Sequence, residues 1–187
     1  MTTKSHPAPV PAPALIVHKP GFLDKGRAET VHEILQALLP WTTFAPSPKS
    51  RKVWRWDRPI GDPAIDGIFT ELIYELEKSC RDNGSPVTVE GGIFCNLYRD
   101  GDDYCPYHKD QYGCDVWTLS LGSTRDFLVK KDGTGTRADS WTLKSGDMYF
   151  MSKNLHKDHR HSIPVRKGRP GSRISIVFFT RPGPGQV

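Results

Sequence analysis

A change of apolar rhythm at Asn83-Gly84 restricts what this chain can fold into more than any other feature. Ahead of it, two stretches carry apolar residues at helical spacing. "DKGRAETVHEILQALLPW" aligns Val31, Ile34, Leu35, Leu38 and Leu39 in one stripe and is ended by Pro40. "PAIDGIFTELIYELEKSC" does the same with Ile65, Ile68, Phe69, Leu72, Ile73 and Leu76. Behind it, apolar residues alternate in short runs: "VTV", "GIFCNLY", "VWTLSLG", "DFLVKK", "SWTLK", "DMYFM" and "SRISIVFFT". Turns such as Asp132-Gly133 and Ser145-Gly146-Asp147 separate them. A period of two is the mark of a half-buried strand. Upstream, "ALIVHKPGFL" (Ala14 to Leu23) reads as one more short strand and a turn. Two helices followed by many closely spaced strands predict an α+β fold with a sandwich or barrel core. No internal repeat is visible.

At 187 residues the chain is expected to form one domain with its own core. Residues 1–12 are rich in Pro and Ala and read as a disordered or extended tail, and 182–187 as a flexible one, which leaves 13–181 as the folded domain. No apolar run approaches the roughly 20 residues of a membrane span, and the N-terminus lacks the apolar middle of a secretory signal. An intracellular monomer, cytoplasmic or nuclear, with no membrane partner, is therefore expected. The formal charge of +5 suits a nucleic-acid partner without demanding one. Cations cluster in "KSRKVWRWDR" (Lys49 to Arg58) and "RKGRPGSR" (Arg166 to Arg173). The first interleaves them with Trp54 and Trp56. That is either a single-strand binding surface, with rings for stacking, or a strand with its tryptophans on the core and its cations in water. Cys80, Cys95, Cys105 and Cys114 contain no CxxC pair and read as reduced thiols, Cys95 as core.

The chemistry concentrates in "CNLYRDGDDYCPYHKD". On a strand, residues i and i+2 share a face, so His108 and Asp110 can offer one imidazole nitrogen and one carboxylate oxygen together. "NLHKDHRHSIPV" supplies three candidates for a second imidazole: His156, His159 and His161. Two His and one carboxylate on one face of an octahedron leave three positions open, the facial triad of non-haem Fe(II) oxygenases. In "SRISIVFFT", alternation puts Arg173, Ser175, Val177 and Phe179 on one face and Ile174, Ile176, Phe178 and Thr180 on the other. A cation pointing inward on an apolar strand needs an anion, and a guanidinium fork suits a carboxylate. Each element alone has a plainer reading: surface histidines in a loop, or an internal ion pair. A third reading makes Cys105, His108 and Cys114 a structural zinc site.

The order "NLYRDG…HKD…LSLGSTRDFLV…LKSGDMYFM…HRHSIPVRKG…SRISIVFF" resembles the AlkB-like Fe(II)/2-oxoglutarate-dependent dioxygenases, most of all the branch that removes alkyl groups from DNA or RNA bases. The resemblance covers about Ala14 to Thr180. It implies a double-stranded β-helix (jelly roll) core with the N-terminal helices packed on one sheet, and Fe(II), 2-oxoglutarate and O2 as cofactors. By position, His108, Asp110 and His161 would bind the iron, "HSIPV" favouring His161. Asn96 and Tyr98 would hydrogen-bond 2-oxoglutarate, and Arg173 would hold its far carboxylate. Arg125-Asp126-Phe127 matches a segment near the substrate pocket of the repair enzymes.

Two departures stand out. The family usually has Asn two residues after that Arg and a second Arg six residues after it; here those positions hold Ser175 and Phe179. Ser175 is grouped with the cosubstrate residues, and Arg181, further along the same face, is the substitute for the second Arg. The acidic pair that often follows His-x-Asp is replaced by Gln111-Tyr112-Gly113. The activity implied is oxidative dealkylation of a single-stranded or flipped-out base. Trp54, Trp56, Tyr104, Tyr107 and Tyr112 are the aromatic candidates for stacking on it, with Arg125 and Asp126 beside them. The alternatives are a dioxygenase acting on a protein, lipid or small molecule, and an inactive nucleic-acid-binding module that kept the fold.

Overall fold

The computed structural model describes residues 16–44, 50–56, 59–110, 113–133 and 139–183. In chain order its elements are β1 (Ile16–Lys19), α1 (Lys25–Leu38), β2 (Thr42–Thr43), β3 (Lys52–Trp56), α2 (Pro63–Asp82), β4 (Val87–Tyr98), β5 (Cys105–His108), β6 (Asp115–Gly122), β7 (Arg125–Lys131), β8 (Asp139–Leu143), β9 (Met148–Met151), a 3-10 turn at Leu155–Lys157, β10 (His159–Ile163) and β11 (Arg173–Pro182). The strands form a seven-stranded sheet, β1-β9-β6-β11-β4-β3-β2, and a four-stranded sheet, β5-β10-β7-β8. All pairings between these strands are antiparallel. The α+β class thus holds. No helix among the described residues is long and apolar enough to cross a membrane.

Both helices begin where the sequence supplies a cap. The Asp24 carboxylate accepts the Arg27 N–H at 3.0 Å, and that of Asp62 accepts those of Ala64 and Ile65, with Pro63 at the first helical position. Ala28, Val31 and Leu35 of α1 and Ile65, Phe69, Leu72 and Leu76 of α2 bury against the seven-stranded sheet. There they meet Cys95, Ile174, Ile176 and Phe178, each 0% exposed. Full burial of a large apolar side chain contributes roughly 1.5–3 kcal/mol, so this cluster holds the helical layer on. Leu38, expected on the stripe, is 50% exposed, because the last turn of α1 has run past the sheet and Leu39 takes the buried place.

The opposite face of the large sheet meets the small sheet. Tyr98, Tyr149 and Phe179 from one pack with Phe127, Val129 and Ile163 from the other. "VTV" and "GIFCNLY" prove to be one strand. Gly91 and Gly92, at φ 74° and 85°, form a bulge where β11 steps from Phe178↔Ile93 to Thr180↔Val89. The inward faces of β4 and β11 therefore look into the gap between the sheets.

Candidate metal and cosubstrate site

β10 lies between β5 and β7, and its register sets His161 directly across from His108. Directly opposed residues of an antiparallel pair are near neighbours, and the two imidazole centroids stand 4.2 Å apart. β5 ends at His108, so Asp110 is not its strand-mate; the coil after the strand turns it back toward both rings. His108 Nε2 lies 3.4 Å from Asp110 Oδ1, and His161 Nε2 lies 3.7 Å from Oδ2. One ligand atom from each residue falls within 4.8 Å of the other two, a set that could hold a metal ion. The carbonyl of Pro106 takes the His108 Nδ1 proton at 2.8 Å, which leaves Nε2 as the ligand atom. The Asp110 N–H donates to His156 Nδ1 at 3.3 Å, so the proton of that ring sits on Nε2, facing the same carboxylate.

The charges answer one another. Burial works to lower the His108 pKa, but its bonds to Asp110 and Cys105 outweigh this and raise it to about 10. Burial opposes ionisation of Asp110, yet the bond to His108 and the fields of His161 and His156 bring its pKa below the ordinary value. Burial dominates at His161 and lowers it to about 3, so this ring is a neutral donor.

Beside this triad the cleft is lined by Arg51, Asn96, Tyr98, Tyr149, Arg173 and Ser175. Arg173 is 1% exposed. Its Nε donates to Ser120 Oγ at 2.9 Å, but Nη1 and Nη2 have no hydrogen-bond partner, although the Tyr149 phenol is near enough to feel their charge. A buried guanidinium with two free donors fits an anionic guest. Asn96 Nδ2 donates to Ser175 Oγ at 3.1 Å. Asn96, Tyr98, Arg173 and Ser175 are thus brought together as expected, on neighbouring strands β4 and β11.

The other expected residues are not. Arg181 lies at the far end of β11, 70% exposed at its side chain, with its Nε 2.8 Å from Glu90; seven residues of strand separate it from Arg173. It does not reach the cleft. Arg125 is 1% exposed; its Nη1 donates to the carbonyl of Asp100 and its Nη2 to those of Asp103 and Pro164, which leaves only Nε without a partner, so it clamps loops. Asp126 pairs with Arg166 at 2.6 Å. Trp54 stacks on Phe69 at 5.8 Å, and Trp56 is buried with its Nε1 donating to Asp66. Both tryptophans face α2, which answers the "KSRKVWRWDR" alternatives in favour of the core. Tyr107 points out of the sheet, beneath Lys130. Tyr104 lines a shallow apolar groove beside His108, with Phe44 and Pro106. Gln111 and Tyr112 lie outside the described residues, as do residues 1–12 and 184–187. His159 pairs with Asp158; Cys105 Sγ lies 3.4 Å from His108 Nδ1, but Cys114 lines a separate groove with Phe179 and Arg181, so the three zinc candidates do not assemble. All four cysteines are free.

Sequence reasoning missed Arg51, Ser120 and Tyr149. Ser120 and Tyr149 could have been found as polar groups on the inward positions of apolar strands. Arg51 was hidden among other cations.

With this geometry in hand, comparison with known proteins gives the class. Over residues 17–178 the chain matches the 2OG-Fe(II) oxygenase superfamily, and it belongs to that family. Members of that superfamily use Fe(II), 2-oxoglutarate and O2, and the His108–Asp110–His161 set fits such an iron. AlkB homologues are among its relatives. The alpha-ketoglutarate-dependent dioxygenase alkB homolog 3 of Bos taurus is 25% identical over 190 residues, covering 86% of this chain and 64% of that protein. The DNA oxidative demethylase ALKBH2 of Bos taurus is 28% identical over 151 residues, covering 70% and 54%. The chain therefore spans between half and two-thirds of these relatives. A solved structure of OsALKBH1 shares the fold at TM-score 0.65 and 17% identity, covering 88% of this chain and 97% of the other.

Proposed function

We propose that this protein oxidatively demethylates alkylated bases of DNA or RNA, with His108, Asp110 and His161 holding Fe(II) and Asn96, Tyr98, Arg173 and Ser175 holding 2-oxoglutarate. The observation that carries it is the buried cleft in which two imidazoles and a carboxylate converge beside a guanidinium with two unpartnered donors. The names of the AlkB relatives support the substrate class. We further read the two facing sheets as the double-stranded β-helix of such enzymes, and the protein as an intracellular monomer.

His108, Asp110 and His161 would hold Fe(II) and leave the remainder of its coordination open to guests. Bound together, Fe(II) and 2-oxoglutarate supply O2-dependent hydroxylation of a substrate C–H bond, with succinate and CO2 as products. Arg173, anchored by Ser120, fixes the far carboxylate and so the orientation of the cosubstrate. Phe127, Ile163 and Val177 wall the inner cleft and exclude water. Pro106, Tyr104 and Phe44 present an apolar slot next to His108, where a flat unpaired base can lie. A hydroxylated N-methyl group is a hemiaminal; it leaves as formaldehyde and restores the base.

Mass spectrometry of single-stranded DNA and RNA oligonucleotides carrying 1-methyladenine or 3-methylcytosine tests this, with Fe(II), 2-oxoglutarate and ascorbate supplied. Loss of one methyl mass, absent with His108→Ala, is expected. Succinate formed by the wild type without any methyl loss would move the substrate to a protein or small molecule. Neither product from iron-loaded protein would leave the inactive binding module.

A further inference from the structure

Phe179 and Arg181 leave the cleft without the second cation that its family usually draws from β11, and the structure offers another from a different strand. Arg51 is 7% exposed. Its Nε donates to Asn96 Oδ1 at 2.6 Å, and its guanidinium carbon sits 4.2 Å from the centroid of the Phe44 ring. Among the described residues no carboxylate pairs with it, and it lines the cleft together with His108, Asp110 and Arg173. A buried guanidinium held by its Nε and by a ring face keeps its fork free for an anion.

The register fixes which face of the sheet this residue takes. Lys52 pairs with Leu97, so Arg51 falls opposite Tyr98, and Tyr98 pairs with Arg173 across β4. The two arginines thus share one rung and one face of the sheet, two strand spacings apart, about 10 Å. Both charges are felt at the Tyr98 phenol between them, so a dicarboxylate bound over that ring has a cation on either side. The ends are not equivalent. Arg51 also lines the groove that holds His108, and its charge is felt at His161, whereas Arg173 is anchored to Ser120 on β6. We propose that Arg51 binds the metal-side carboxylate of 2-oxoglutarate, opposite Arg173 at the far carboxylate, and so supplies from β3 the cation that β11 lacks. This rests on reading the cleft as a 2-oxoglutarate site.

Calorimetric titration of the Mn(II)-loaded protein tests it, with 2-oxoglutarate and with 2-oxobutyrate, which keeps the 2-oxo acid end and lacks the far carboxylate. Arg51→Gln, which retains a donor for Asn96, is expected to weaken both ligands by the same factor, roughly ten- to hundredfold. Arg51→Lys should fall between, since it keeps the charge and loses the fork. Arg173→Met should weaken 2-oxoglutarate alone. Mn(II) affinity and the unfolding temperature, measured for each variant, separate loss of the anchor from loss of the metal or the fold; if Arg51→Gln does not fold, Arg51→Lys carries the comparison. Unchanged 2-oxoglutarate binding in folded Arg51→Gln would overturn the assignment, as would weakening of 2-oxoglutarate without 2-oxobutyrate, which would put Arg51 at the far end. A wild-type Mn(II) protein that binds neither acid would instead overturn the cosubstrate reading beneath it.

Discussion

Arg125 and Arg173 are both buried, and both lie against Tyr98, at 5.4 and 5.3 Å from its ring. What separates them is the company of their donors. Arg125 satisfies three main-chain carbonyls, so removing it strands buried acceptors. Arg125→Met is expected to cost about 3 kcal/mol of stability, read from urea unfolding, and to change 2-oxoglutarate affinity little. Arg173 has two donors waiting. Arg173→Met is expected to leave stability unchanged or raised, because an unpaired buried charge is removed, while 2-oxoglutarate binding to the Mn(II) protein falls at least tenfold. Equal stability losses in the two variants would contradict the distinction. His32 gives a pH dependence. Burial lowers its pKa against the pull of Glu33 and of Ser172. The unfolded chain therefore takes up a proton near pH 6.5 that the folded chain refuses, and stability is full above that value and declines below it. His32→Gln should flatten the fall in unfolding free energy between about pH 7.5 and 5.5; an unaltered slope would assign the fall to other groups.

The strands that carry the metal residues were the hardest elements to read. β5 is "CPYH" and β10 is "HRHSI"; each has one apolar inward residue, Cys105 or Ile163, beside its histidine, too few to show alternation. α1, α2 and β11 were legible for the opposite reason: the faces they turn to the helix–sheet core are apolar and keep one period. The site strands are placed from outside. The Gly101 N–H donates to Arg169 O at 3.0 Å, and the Arg166 N–H donates to Gly101 O at 2.7 Å, tying the loop ahead of β5 to the loop after β10. A Cβ on Gly101 would lie 2.0 Å from Arg166 O. Gly101→Ala should destabilise the fold by about 3 kcal/mol and weaken Mn(II) binding as well, since the loop that moves leads into His108. Thermal unfolding and metal titration check both; a destabilised protein with intact Mn(II) affinity would show that the loop does not position His108.

At the scale of the whole molecule, the cleft draws on both sheets, so its guests bind only the assembled fold. Ligands of that kind stabilise by mass action, about 2.7 kcal/mol at a hundredfold excess over Kd. Mn(II) and 2-oxoglutarate together should raise the unfolding temperature by roughly 5–10 °C at saturation, more than either alone. His161→Ala, which removes the ligand contributed by β10, should abolish the synergy. A synergy that survives in that variant would place the metal elsewhere.

Local sequence determined whatever depends on period and capping. The two helix stripes, the inward row Arg173, Ser175 and Val177, and the nearness of His108 to Asp110 follow from spacing along one chain segment. Tertiary structure decided whatever depends on which segments lie side by side. Antiparallel register chose His161 over His156 and His159, because only His161 stands opposite His108. Burial against α2 turned Trp54 and Trp56 into core, and three carbonyls from distant loops turned Arg125 into a clamp. Arg51 became a cleft residue only because β3 pairs with β4 in a register that sets it beside Tyr98. A side chain's chemistry is written at its own position, but its partners come from strands far away in the chain, and long-range pairing alone says which they are.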